Sequence, residues 1–181
     1  MTKFAVLRLF LLSLVFPVVQ AQAQVIDWVN LPGGNKSDVA EDIVADAAGN
    51  SYVTGKFSTT FAIGDTTLVS AGREDIFVAK FDPNGELLWA RRSGGVLEDQ
   101  GIEIGIDAAG GVYAVGRFEV TADFGPITVA SQGNVDIFVV KYDTDGNFLW
   151  VNPLGGSRDD RCRGLSVTPE GFCYIGGRYR V

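Results

Sequence analysis

The sequence predicts an all-β fold of four-stranded antiparallel sheets repeated in tandem. Three observations carry this: an internal period of 61 residues, turn residues at fixed offsets, and no helical stripe of apolar residues with caps. Trp28, Trp89 and Trp150 are spaced by that period, as are the Gly pairs at 33, 94 and 155 and the aspartates Asp38, Asp99 and Asp160. Tyr52, Tyr113 and Tyr174 obey it, and so do Gly55, Gly116 and Gly177. Aligned without a gap, residues 28–88 and 89–149 are identical at about 25 of 61 positions, far above chance. Each copy is then one supersecondary unit that buries its apolar faces against its neighbours.

The N-terminus comes first in that order. Lys3 and Arg8 precede an apolar run over residues 9–19, and small residues follow at Ala21 and Ala23. A basic start, an apolar core and a small-residue end describe a secretory signal peptide over residues 1–23, with the mature chain beginning at Gln24. The run is too short for a permanent membrane span. Residues 25–31, around Trp28, read as a lone strand matching the fourth strand of a sheet.

Residues 38–91 and 99–152 each read as a full unit. Strands run into Asp46, Ala47, Ala48, Gly49 and out through Tyr52 to Phe57. A β-branched and aromatic strand from Asp75 to Phe81 then meets the turn Asp82, Pro83, Asn84, Gly85 before Leu87, Leu88 and Trp89. Ile76 to Ala79 and Ile137 to Val140 are apolar at successive positions, so both sheet faces are covered. Residues 160–181 supply half of a third unit, in which Thr168, Pro169, Glu170, Gly171 replaces the Asp-Ala-Ala-Gly turn. Small antiparallel sheets stacked face to face are β-propeller blades, here an incomplete propeller of about two full blades with partial ones. The expected strand total is eleven.

The blocks from Asp46 to Phe57 and from Asp75 to Ala90, with Gly94-Gly95, closely resemble the SBBP-type β-propeller repeat of secreted and surface proteins of bacteria. The resemblance covers residues 25–181. It implies a propeller architecture and export, and it carries no reaction and no catalytic residue. WD-type blades fit less well: Trp89 and Trp150 precede Ala90 and Val151, and the Gly-His signature is missing.

Composition narrows the function. None of the 181 residues is His, which removes Ser-His-Asp and Cys-His nucleophile pairs and imidazole metal ligands. A net charge of −7 argues against nucleic acid as a partner. Asp82 and Asn84, and Asp143 and Asp145, are weak metal candidates: oxygen-rich turns without full calcium-loop spacing, which also suit an Asp-capped hairpin. Asp38, Asp99 and Asp160 are a candidate rim site for a cation or basic ligand, with a loop-tying role as the alternative. Cys162 and Cys173 lie on two arms of one hairpin, out of step by about five residues, so no disulfide is expected.

The expectation is a non-enzymatic binding, adhesion or scaffold protein, secreted or at the cell surface, with no cofactor and with a protein or carbohydrate ligand. The variable loops 58–74 and 119–135, each with a candidate small hairpin at Gly64-Asp65 or Gly125-Pro126, are its recognition elements. The chain is expected to be a fragment of a longer propeller, or to assemble with further copies of itself. The alternatives are an enzyme, lyase or glycosidase-like, whose site forms only in a completed ring, and a truncated gene product.

Overall fold

The computed structural model describes residues 32–34 and 36–181. The expected signal peptide and the lone strand around Trp28 lie outside the described residues. Every regular element described is a strand: β1 (Val39–Ala45), β2 (Ser51–Phe57), β3 (Thr60–Ile63), β4 (Thr66–Val69), β5 (Asp75–Phe81), β6 (Leu87–Ser93), β7 (Gln100–Ile106), β8 (Val112–Phe124), β9 (Ile127–Tyr142), β10 (Phe148–Leu154), β11 (Arg161–Val167) and β12 (Cys173–Arg178). They form a sheet ordered β1-β2-β5-β6, a second ordered β7-β8-β9-β10, and two-stranded β11-β12 and β3-β4. All pairings are antiparallel. The described strands number twelve, against eleven expected with the lone strand included. With the lone strand outside the described residues the like-for-like expectation is ten, and the two further strands are β3 and β4, a hairpin inside the connection from β2 to β5.

The turns follow from one sequence device. Gly49, Gly85, Gly110, Gly146 and Gly171 all have φ between 75° and 87°. That left-handed conformation is free of steric cost only for glycine, which is why each short hairpin ends its turn on one. A second device sits mid-strand. The innermost strand of each blade is bulged, between Ala40 and Asp42, Gly101 and Glu103, and Cys162 and Gly164. The bulge drives a carbonyl at the neighbouring strand, and glycines admit it at Gly55, Gly116 and Gly177: a Cβ there would lie 2.0 Å from the Val39 oxygen, 1.9 Å from the Gln100 oxygen and 2.3 Å from the Arg161 oxygen.

Packing repeats with the period. One face of the first blade offers Tyr52, Ile76, Val78 and Trp89 to Val112, Ala114, Phe118, Phe124, Phe138 and Val140 of the second. The opposite face of the second blade offers Val115, Ile137 and Val139 to Cys162, with Leu165 and Ile175 alongside. Each junction thus buries the alternate positions of facing sheets, as stacked blades must. The remaining face of the first blade carries Phe57, Phe61, Ile63, Phe77 and Phe81.

Candidate functional site

The Gly-Gly…Asp loops are built by their aspartates. Asp99 is fully buried, and its Oδ2 accepts the Gly95 N–H at 2.6 Å while Oδ1 accepts the Glu119 N–H at 2.9 Å. Asp160 repeats this with the Gly156 and Arg180 N–H groups at 2.8 and 2.5 Å. Asp38 does the same with Gly34 and Ser58, at 2.7 and 3.1 Å. One carboxylate therefore ties the loop entering each blade to period-equivalent residues of the second-strand segment: Ser58 just after β2, Glu119 within β8 and Arg180 just beyond β12. Burial, with Asp75 and Glu119 nearby, pushes the Asp99 carboxyl up to about 6 against the pull of its two N–H partners.

The turn aspartates behave alike. Asp82 Oδ1 accepts the Asn84 and Glu86 N–H groups, both at 2.8 Å, and Asp143 Oδ1 accepts those of Asp145 and Asn147 at 2.9 and 2.8 Å. The Glu86 N–H and then the Asn84 bonds hold Asp82 below the usual carboxylate range, and Asn147 does so for Asp143. The side-chain amide N–H groups of Asn84 and Asn147 donate back to Oδ2 of Asp82 and Asp143, so both oxygens of each aspartate serve the turn. Asp145 contributes a main-chain N–H to this turn. Among the described residues no three acidic or cysteine side chains group as a metal site.

The hairpins are partly scaffold. Gly33 exchanges main-chain bonds with Ala62, and Gly94 with Asp123, all at 3.0 to 3.2 Å. Phe61, Ile63, Ala122, Phe124 and Val129 are buried beneath them. In the second blade the hairpin is continuous with β8 and β9, turning at Gly125-Pro126, whereas β3-β4 turns at Gly64-Asp65 and forms its own small sheet. Alternate residues face out: Thr60, Ala62, Thr67 and Val69 on one, Thr121, Asp123, Thr128 and Ala130 on the other. Thr59 and Val120, one period apart, have φ of 60° and 62°, a strained choice for β-branched residues that sets each hairpin's departure from the blade.

Two polar arrangements escaped sequence reasoning. At the inner strands, Asp42 Oδ2 accepts the Ile104 N–H at 2.9 Å across the blade junction. Glu103, one period later, accepts the Leu165 N–H in the same way, with burial and Asp42 raising its pKa. The signal was a carboxylate at equivalent positions beside a bulge. At the opposite strand ends, Lys141 donates to the Tyr113 hydroxyl at 2.6 Å and to Asp107 at 3.0 Å, and Tyr113 donates to Asp107. Burial opposes ionisation of Asp107, yet Lys141, Gly111 and Tyr113 together hold its pKa below the ordinary value. Burial and Asp46 push the corresponding Tyr52 up to about 12. Cys162 faces Gly177 and Cys173 faces Val167, and both thiols are free. Burial raises the pKa of each, which leaves them protonated and weakly nucleophilic at neutral pH.

No family model matches the chain. It is 30% identical over 153 residues to the regulatory protein FlaEY of Caulobacter vibrioides, a match covering 80% of this chain and 16% of that protein. It is also 30% identical over 91 residues to an uncharacterised WD repeat-containing protein of Acanthamoeba polyphaga mimivirus, covering 46% of this chain and 7% of that protein. The chain spans a small part of either relative. The fold class is thereby defined: an all-β repeat protein of propeller-like blades, without a closed ring among the described residues. No helix among the described residues is long and apolar enough to cross a membrane.

Proposed function

We propose that this chain is an exported, non-catalytic binding or scaffolding module of SBBP-type propeller blades, acting at the cell surface. Its contact surface is the outward side of the two hairpins, and its ligand is a protein or a carbohydrate. The observation that carries this reading is the use of the acids. Asp38, Asp99 and Asp160, the groups best placed for rim chemistry, have both oxygens engaged by main-chain N–H groups and so act as loop clamps. What the rim presents to a partner is a pair of rigid hairpins whose Thr-rich faces are exposed, a surface suited to recognition. The charged N-terminus and apolar run over residues 9–19 support export.

Expression of the full chain in a Gram-negative host, with fractionation and N-terminal sequencing, tests the first half: a product outside the cytoplasm that begins at Gln24 is expected. Glycan and surface-protein arrays test the second half. Thr67→Arg and Thr128→Arg, placed on the outward hairpin faces, are expected to abolish binding without lowering the melting temperature. Cytoplasmic retention of an uncleaved chain refutes export, and binding unchanged in both variants refutes the hairpin face.

A further inference from the structure

One repeated carboxylate is satisfied in the first blade and not in the second. Asp75 is fully buried; its Oδ1 accepts the Ser70 hydroxyl at 3.1 Å, and Oδ2 accepts the Ala71 N–H at 3.0 Å and the Arg92 guanidinium at 2.5 Å. One period later Asp136 is equally buried and keeps only the main-chain bond, from the Gln132 N–H to Oδ2 at 2.8 Å. Pro153 stands where the first blade has Arg92, and Ser131 turns its hydroxyl to the Gly133 carbonyl at 2.6 Å. Asp136 Oδ1 is left with no hydrogen-bond partner. A buried carboxylate oxygen without a donor is costly, and the first blade shows which group the position is shaped to receive.

Space lies beside that position, against Pro153, and the Asp136 carboxylate does not itself line it. A cavity of about 520 Å³ lies at the junction of the second blade with β11-β12, and its walls include Gln132, Ile137, Gly155, Ile175, Arg178 and Tyr179. Three of these adjoin Asp136: Gln132 donates to it, Ile137 follows it in the chain, and Gly155 packs so closely that a Cβ there would fall 2.1 Å from the Asp136 Cγ. Arg178, the charged residue of the wall, is itself exposed.

We propose that this junction binds a guanidinium group, the arginine side chain of a protein partner. A planar guanidinium offers several donors in a fork, matches a carboxylate and stacks on an aromatic face such as Tyr179. A metal ion is less well served. The nearby Asp160 has both oxygens engaged, and no group of three acidic side chains exists among the described residues. The site lies in a blade junction, apart from the hairpin faces, and stands whether or not those faces bind a ligand.

The test titrates the full chain with Nα-acetyl-arginine methylamide, with the lysine analogue and calcium chloride as parallel probes, by calorimetry and thermal melting. Saturable binding of the arginine probe is expected, weakened by about tenfold or more in Asp136→Asn through loss of the charge-assisted bond. Pro153→Arg rebuilds the arrangement of the first blade from within. It is expected to raise the melting temperature and to abolish binding, so the proposal is judged on a variant that gains stability. The proposal is overturned if the arginine probe does not saturate, if Asp136→Asn binds as wild type, or if lysine or calcium binds as strongly.

Discussion

Across the junction of the two full blades, Lys80 donates to the Thr144 carbonyl and hydroxyl at 3.1 and 3.2 Å, the Trp89 indole N–H to the same carbonyl at 3.1 Å, and Arg91 to the Gly146 carbonyl at 2.7 Å. Across the next junction the fastening is different. The Tyr113 hydroxyl lies 3.1 Å from the Gly171 carbonyl and the Ala108 N–H reaches Pro169, while Lys141 turns back to its own blade, to Asp107 and Tyr113. The lysines are period-equivalent, and what differs is the partner. The β9-β10 turn faces Lys80, whereas among the described residues Lys141 bonds to Asp107 and Tyr113 beside the β11-β12 hairpin. A repeat side chain thus has no fixed contact of its own; the apolar face is inherited with the period, and the polar fastening depends on the neighbour.

Tryptophan is the most direct way to break this comparison. Trp89 is 8% exposed and lies over Gly146, where a Cβ would come within 2.6 Å of its ring. Trp150, its equivalent, is half-buried and makes a ring contact with Tyr113 of its own blade at 6.1 Å. Trp89→Ala is expected to cost about 3–5 kcal/mol in urea unfolding, the range for deleting a large buried ring, and Trp150→Ala about half of that or less. Equal losses would mean that the two junctions carry the same load, and the comparison would fail.

Asp99 sharpens the comparison through pH. Its folded pKa is raised to about 6 from 3.8, so between those values the folded chain binds a proton more tightly than the unfolded chain. The resulting stability is fully present below pH 4 and is lost as pH rises through 6. Wild type should therefore gain on Asp99→Asn as pH falls from 7 to 4, by at most about 3 kcal/mol. Melting curves of both proteins across that range check it. A difference that stays flat, or shrinks towards acid, would show that the two N–H bonds outweigh burial.

The sequence made the scaffold legible because the scaffold is what the period repeats. Turn glycines, the Asp-capped hairpins and the paired apolar faces each recur at a fixed offset, so one copy predicts the next. Contacts between copies do not share that property. The Asp42 bond to Ile104 joins residues 62 apart; aligning the repeats shows the recurring carboxylate, Asp42 and Glu103, but not the main-chain N–H it meets in the next blade. The loops 58–74 and 119–135 read as recognition elements because they vary between copies. The buried side varies as well as the outward one: inward Phe61 and Ile63 become Ala122 and Phe124, whereas outward Thr60 and Thr67 recur as Thr121 and Thr128. The Asp136 site was hidden for the opposite reason. Asp136 matches Asp75 and looks ordinary until Pro153 is seen to occupy the place of its arginine partner.

The smallest expected effect concerns Thr59 and Val120. Both hairpins leave their blades through a β-branched residue at positive φ, and the recurrence makes the strain a property of the design rather than of one loop. Val120 is 50% exposed, so replacing it by glycine sacrifices little burial while removing a clash of roughly 1–2 kcal/mol. The greater freedom of glycine in the unfolded chain takes back about 0.5–1 kcal/mol of this. Val120→Gly should therefore raise the urea midpoint by an amount worth about 0.5–1 kcal/mol. If the variant is instead destabilised by more than that, Val120 contributes contacts that its exposure conceals, and the hairpin of the second blade is held by its side chain rather than by its backbone.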